Sequence, residues 1–382
     1  MKRNKIYSLL LSGLLMASCS KEEQPSPTPG GEDALVTVSV AVDGVAKTKA
    51  ESETQPGDEK ENAIKNLTVV FIDAARNEVI GHTYKEMTSS ESEKKVTVAL
   101  KTGIYKMLVM ANTKEVNSFI PKDYYDLIAS LPEQGGENGF VMSNIVRDVE
   151  IKAIEDNNKN ENKISETVKR VVGRVDLSKL DVNWKDEDLK KIDGLEFRLT
   201  QVFLANVRPK SYLFDMTSWG FDISTDKHSM EIKDGYLCGI GNYVEGGDIA
   251  KGNVKDDNLN QEDFVTNPDG SNQTELARFY AMTNSYKGSE NVAGEYPVIL
   301  YIKGDLYDGA GNAVLRNRYY RIKLAKGVQR NTIYKIEVTI EGKGSPELGD
   351  NKDNVKMSVT ISVETWEGVT LDTITIDEEI EI

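Results

Sequence analysis

Ala34-Leu-Val-Thr-Val-Ser-Val-Ala-Val42 sets the reading of this chain. Val36, Val38, Val40 and Val42 alternate with small or polar residues, which gives an extended strand one apolar face. The same pattern recurs along the sequence. Leu67 to Ile72 is a buried-type run, and Lys95 to Leu100 and Tyr105 to Met110 are two more, joined by a turn at Lys101-Thr102-Gly103. In the second half, Glu196 to Val207, Arg278 to Met282 and Tyr296 to Ile302 are strand candidates. Arg318 to Leu324 follows across a hairpin turn built on Asp308-Gly-Ala-Gly-Asn312. Tyr334, Ile336, Val338 and Ile340 alternate cleanly, as do Met357, Val359, Ile361 and Val363. A single helix is predicted in the first half: Pro121 suits a first turn, and Tyr124, Leu127, Ile128 and Leu131 share a face before Pro132. Many short strands between turn clusters predict an all-β chain of two tandem antiparallel β-sandwiches with loop and short-helix insertions, not a βαβ fold.

Length and charge agree with that division. The 382 residues suffice for two domains, each burying its own core. Lys and Arg number 47 against 62 Asp and Glu, a net charge of −15, which argues against nucleic acid as a partner. Lys47 to Glu61 is hydrophilic, without apolar periodicity, and reads as an exposed loop. Gly135, Gly136 and Gly139 mark another loop, residues 155–165 a third, and the acidic, glycine-rich stretch 239–269 a long surface insertion.

The amino terminus carries an address. Lys2, Arg3 and Lys5 precede an apolar run from Ile6 to Met16, and Met16-Ala17-Ser18 leads to Cys19. That is a secretory signal peptide, too short and wrongly flanked for a membrane span. A cysteine at the cleavage point is the pattern of a bacterial lipoprotein, in which Cys19 takes a lipid and becomes the new terminus. The alternative is a plain signal peptide with an incidental cysteine. Ser20-Lys21-Glu22-Glu23 resembles the acidic surface-export signal of some Gram-negative lipoproteins, which places the chain at the outer membrane, facing outward. The expected division is 1–18 signal peptide, 19–33 tether, 34–178 N-terminal sandwich and 179–382 C-terminal sandwich. With Cys19 lipidated, only Cys238 remains, so stability must come from packing rather than a disulfide.

Catalysis finds little support. The two histidines, His82 and His228, are far apart, and no HExxH, P-loop, GxSxG or CxxC pattern occurs. Cys238 reads as a small hydrophobe. Asp256, Asp257, Asn258, Asn260, Glu262 and Asp263 lack the glycine and the bidentate glutamate of an EF-hand, and read as a solvated loop. Trp184, Trp219 and Trp366 are scattered, with Trp366 in a strand pattern that suggests core. No enzyme activity, cofactor or metal is expected.

Several pieces in order resemble the fimbrillins, the major and minor subunits of type V pili. They are the lipoprotein start, Ala63-Ile-Lys-Asn-Leu-Thr-Val-Val-Phe71, Val168-Lys-Arg-Val-Val-Gly-Arg-Val-Asp-Leu177 (like the strand that closes the family's N-terminal domain), Gln329-Arg-Asn-Thr-Ile-Tyr334 leading to Gly342-Lys-Gly344, and Val359 to Trp366. The C-terminal half looks closer to the minor branch, and 239–269 matches no motif of the family. The resemblance implies transthyretin-like sandwiches in a structural subunit of a cell-surface fimbrium that supports adhesion. It implies a precursor acylated at Cys19 (palmitate), trimmed by an Arg/Lys-specific protease and polymerised by donor-strand exchange. Implied partners are copies of itself and related fimbrillins, the outer membrane through the precursor's lipid, and a host or bacterial surface ligand.

The residues fit that physics. Lys47 and Lys49 are the candidate processing sites, where the family's best-known members are cut after arginine. A cut there would free the strand of Val36, Val38, Val40 and Val42 and open a groove with apolar walls and unpaired backbone, which a replacement strand would fill. The tail, with Leu371 and with Ile374, Ile376, Ile380 and Ile382 on one parity, broken only by Glu378, is the candidate donor strand. The alternative is that it is simply the last strand of the second domain. Competing functions are a tip or accessory adhesin, an anchor subunit that keeps its lipid, and a surface enzyme.

Overall fold

A computed structural model of the chain describes residues 31–44, 59–88, 94–135, 138–153, 162–205, 207, 210–214, 231–233, 236–238, 277–283, 298–324, 327–346, 356–366 and 369–379. The first half holds β1 (Asp33–Val42), β2 (Asn66–Asp73), β3 (Glu78–Glu86), β4 (Lys94–Lys101), β5 (Gly103–Ala111), β6 (Ile128–Ser130), β7 (Met142–Ile151) and β8 (Asn162–Arg170). The second holds β9 (Val172–Val182), β10 (Glu196–Ala205), β11 (Lys210–Tyr212), β12 (Glu231–Lys233), β13 (Tyr236–Cys238) and β14 (Ala277–Met282). It continues with β15 (Ile299–Tyr307), β16 (Ala313–Lys323), β17 (Thr332–Ile340), β18 (Lys356–Thr365) and β19 (Thr370–Glu379). Two short helices, α1 (Glu59–Asn62) and α2 (Pro121–Tyr125), interrupt the strands.

The N-terminal strands run β3-β2-β5-β7-β8-β1-β4 and fold into two layers. β7 and β8 meet only at Met142–Arg170 and Ser143–Lys169, which is the corner between the layers. Gly81 on β3 lies directly under Leu100 of β4, where a Cβ would overlap that side chain, so the layers close tightly there. Between them pack Leu67, Val69, Phe71, Met107, Val109 and the valines of β1. The C-terminal strands form a five-stranded sheet, β14-β9-β17-β18-β19, and a three-stranded sheet, β10-β15-β16. Phe197 and Tyr320 meet edge-on in their core, 5.6 Å between ring centres.

Among the described residues most pairings are antiparallel, with two parallel exceptions. β1 lies parallel to β8, and β9 parallel to β17. Each of these first strands is also flanked by an antiparallel neighbour, β4 for β1 and β14 for β9. β1 and β9 therefore lie in the same kind of slot, each between a parallel and an antiparallel neighbour.

Several expectations change. The run Val168 to Leu177 is not one closing strand: it breaks at Val171, where β8 ends in the seven-stranded sheet and β9 begins in the five-stranded sheet. The helix expected to reach Leu131 stops at Tyr125, because Ile128–Ser130 pairs as β6 with β11, a tertiary pairing that overrides the local pattern. Glu61, expected in an exposed loop, is fully buried at the end of α1. β3 escaped the sequence reading because only Val79 of its residues is buried. Trp366 is core, as expected. His82 lies edge-on to Phe119 at 5.4 Å, while His228, Trp219 and the 239–269 stretch lie outside the described residues.

Candidate functional site

The first strand, the loop that follows it and the chain's tail form the candidate site. β1 is an interior strand. It pairs with β4 from Asp33 to Val40 and with β8 from Val36 to Val42. Val36 and Val38 are completely buried, Val40 and Val42 nearly so, and Val38 sits between Val96 and Ile164. Burying a valine side chain stabilises by about 1.5–3 kcal/mol, so β1 carries a large share of this domain's core. Leu35, of the opposite parity, is exposed.

Where β1 ends, Gly44 turns at φ 84° with its Cα against Trp366, too close for any Cβ. Asp43, the last residue but one before the undescribed stretch 45–58, and α1, which follows it, lie beside one buried polar cluster. Its hub is Arg170. Its guanidinium donates to the Glu61 carbonyl at 3.0 Å, to the Asp43 carbonyl at 3.1 Å, to Asn331 Oδ1 at 2.8 Å and to the Asn62 side chain. One guanidinium thus touches α1, the end of β1 and, through Asn331, the turn that leads into β17. Arg170 also lies over the Trp366 ring at 4.4 Å. Burial pulls the Arg170 pKa down to about 10, so it stays charged at neutral pH.

Behind it, Arg174 bridges the Glu61 carboxylate at 2.9 Å and Asp176 at 3.0 Å. Tyr280 donates its hydroxyl to Glu61 as well, and Arg278 reaches Asp176 at 3.2 Å. Burial works against ionising Glu61, but Arg174, the Tyr280 hydroxyl and Arg278 outweigh it, and its pKa lies below the ordinary value. A depressed carboxylate contributes stability above the unfolded pKa, about 4.3, and that stability is lost as pH falls through the folded value. Glu61→Gln should therefore cost on the order of 3 kcal/mol at pH 7 and flatten the loss of stability below about pH 4.5. Urea titrations across pH check this, and unchanged slopes would contradict it.

At the far end of the chain, β19 is the edge strand beside β18, with Ile374 opposite Ile361 and Ile376 opposite Val359. Ile374 packs on the core, whereas Val369 and Leu371 are exposed. Only one edge of β19 is paired among the described residues.

Known proteins share this architecture. Residues 36–174, the span from β1 to the start of β9, match the family described as major fimbrial subunit protein (FimA). A major fimbrium subunit, FimA type-2 of Porphyromonas gingivalis, is 26% identical over 97% of this chain and 98% of its own length. The crystal structure of a fimbrilin from Porphyromonas gingivalis W83 superposes with a TM-score of 0.59 at 18% identity, covering 87% of this chain and 98% of that one. The chain is similar to fimbrillins over nearly its whole length, and the proteins it resembles are subunits of fimbriae. A second relative, the candidate fimbrium tip subunit Fim1C of Parabacteroides distasonis, is 26% identical over 56% of this chain. The chain spans 61% of the length of that relative.

Within this chain, the structure brings Val36, Val38, Val40 and Val42 together on one buried face and places Leu371, Ile374 and Ile376 on β19. Cys19, Lys47, Lys49, Ile380 and Ile382 lie outside the described residues. The Arg170 cluster was missed. Its signal was present in Val168 to Leu177, where Arg170, Arg174 and Asp176 interrupt a run whose other members, Lys169 apart, are buried. Charges in such a run mark a buried network.

Proposed function

We propose that this chain is a polymerising subunit of the fimbrial shaft, exported as a lipoprotein acylated at Cys19 and held at the outer membrane, facing outward. A protease cuts after Lys47 or Lys49, β1 leaves, and a neighbour's donor strand takes its place, so copies of the chain and related fimbrillins join into a fimbrium that supports adhesion. The observation that carries this reading is the place of β1. It is an interior strand filling the core with four valines, followed in sequence by residues 45–58, which carry Lys47 and Lys49. Losing it would expose apolar walls and unpaired backbone on both β4 and β8. The tail suits the donor role as an edge strand with one neighbour, β18, from which it must peel away to serve another subunit. The relative Fim1C favours a second reading, a tip subunit acting as an adhesin, which would need no donor tail.

N-terminal sequencing of the protein recovered from surface fimbriae tests this proposal. The expected termini are Thr48 or Ala50. Recovery of acylated Cys19 termini alone would point to an anchor subunit instead.

A further inference from the structure

We infer that the Val42 end of the β1 slot reads a carboxylate, and so selects a donor strand with an acidic residue directly after its last inward apolar side chain. This rests on the strand-exchange reading above. The observation is how the slot holds Asp43. Its backbone N–H donates to the Val168 carbonyl at 2.9 Å, and its carbonyl accepts from Arg170 at 3.1 Å. Its carboxylate accepts from Asn331 Nδ2 at 3.0 Å and faces Lys169 Nζ at 3.9 Å.

The donors belong to the part of the protein that stays. Arg170 is fully buried and held by Glu61, Asn62, Asn331 and the Trp366 face, all independent of β1. Asn331 is fixed too: its backbone sits at φ 55°, with its N–H on the Val172 carbonyl at 2.8 Å. When β1 leaves, Asn331 Nδ2 and Lys169 lose the Asp43 carboxylate and Arg170 loses the Asp43 carbonyl. The rest of the slot is walled by Val96, Val98 and Val168. An apolar stripe ending in an acid matches that surface, a neutral end leaves donors unmet, and a basic end meets Lys169 and Arg170. Gly44 adds a second requirement, since the residue after the acid lies against Trp366 where no Cβ fits.

The test uses the full chain nicked in the 45–58 loop, with the protease then inhibited. Fluorescent peptides spanning residues 33–46 compete with β1, as the natural sequence or with Asp43→Asn or Asp43→Lys, and binding is read by anisotropy. The Asn peptide should bind at least fivefold more weakly and the Lys peptide more weakly still. In an Asn331→Gly protein, which keeps the left-handed backbone, the Asp-to-Asn difference should shrink to less than twofold. Lys169→Ala, at an exposed position, should shift it in the same direction without touching the buried network. Equal binding of the three peptides, or a difference untouched by both variants, overturns the subsite alone. If no peptide enters, strand exchange itself fails and the subsite falls with it.

Discussion

A chain ending at Val369 should fold, accept a donor strand and supply none. β19 is an edge strand, so removing it leaves the β14-β9-β17-β18 order and the three-stranded sheet intact. The direct loss is the packing of Ile374 on the core, about 1–3 kcal/mol, and the ladder to β18. Assembly, by contrast, should stop: after proteolytic activation the truncated protein should stay monomeric and cap growing polymers when mixed with the intact chain. Ile376→Asp should weaken assembly sharply as well, because an apolar groove would have to take an unpaired carboxylate. Gel ladders and electron microscopy report polymer length. Normal length from the truncated protein would assign the tail to its own sheet and to nothing else.

Val38→Asp should cost the uncut chain more than about 4 kcal/mol, since the new carboxylate would lie fully buried between Val96 and Ile164 with no cation beside it. Val38→Ala is the milder companion, at about 2 kcal/mol from the lost methyl groups and the cavity they leave. The account makes these costs specific to the precursor. Polymers built from the Val38→Ala protein should resist urea as well as those of the natural sequence, because β1 is no longer in them. Equal weakening of precursor and polymer would mean that β1 stays in place.

Strands with one wet face were legible in the sequence. β1, β17 and β18 announce themselves because every second residue meets the core, and the Asp308 turn is confirmed by its carboxylate accepting from the Ala310 and Asn312 backbone. β3 was not, since a strand with one buried residue shows no period. The break at Val171 was hidden because Val168, Val171 and Val172 carry an apolar pattern straight across it, and only the partners of the two strands differ. The helix after Pro121 was overestimated because Leu127, Ile128 and Leu131 suit a helical face equally well, and pairing with β11 decides against it. The junction cluster joins residues more than 100 positions apart, such as Glu61 and Arg174, and no local pattern reports such pairs. Its charges were visible, but not their partners.

The central claim is that β1 must leave before subunits join, and a reversible staple tests it most directly. Thr37 and Thr97 face each other across β1 and β4 with their hydroxyl oxygens 3.4 Å apart. Cysteines at both positions, in a background with Cys19→Ser and Cys238→Ser, should close a disulfide that ties β1 to the core. The account predicts that the oxidised protein is cut in the 45–58 loop at the normal rate, keeps β1, and forms no polymer until a reductant is added. Polymerisation of the oxidised, stapled protein at the rate of the reduced one would contradict it.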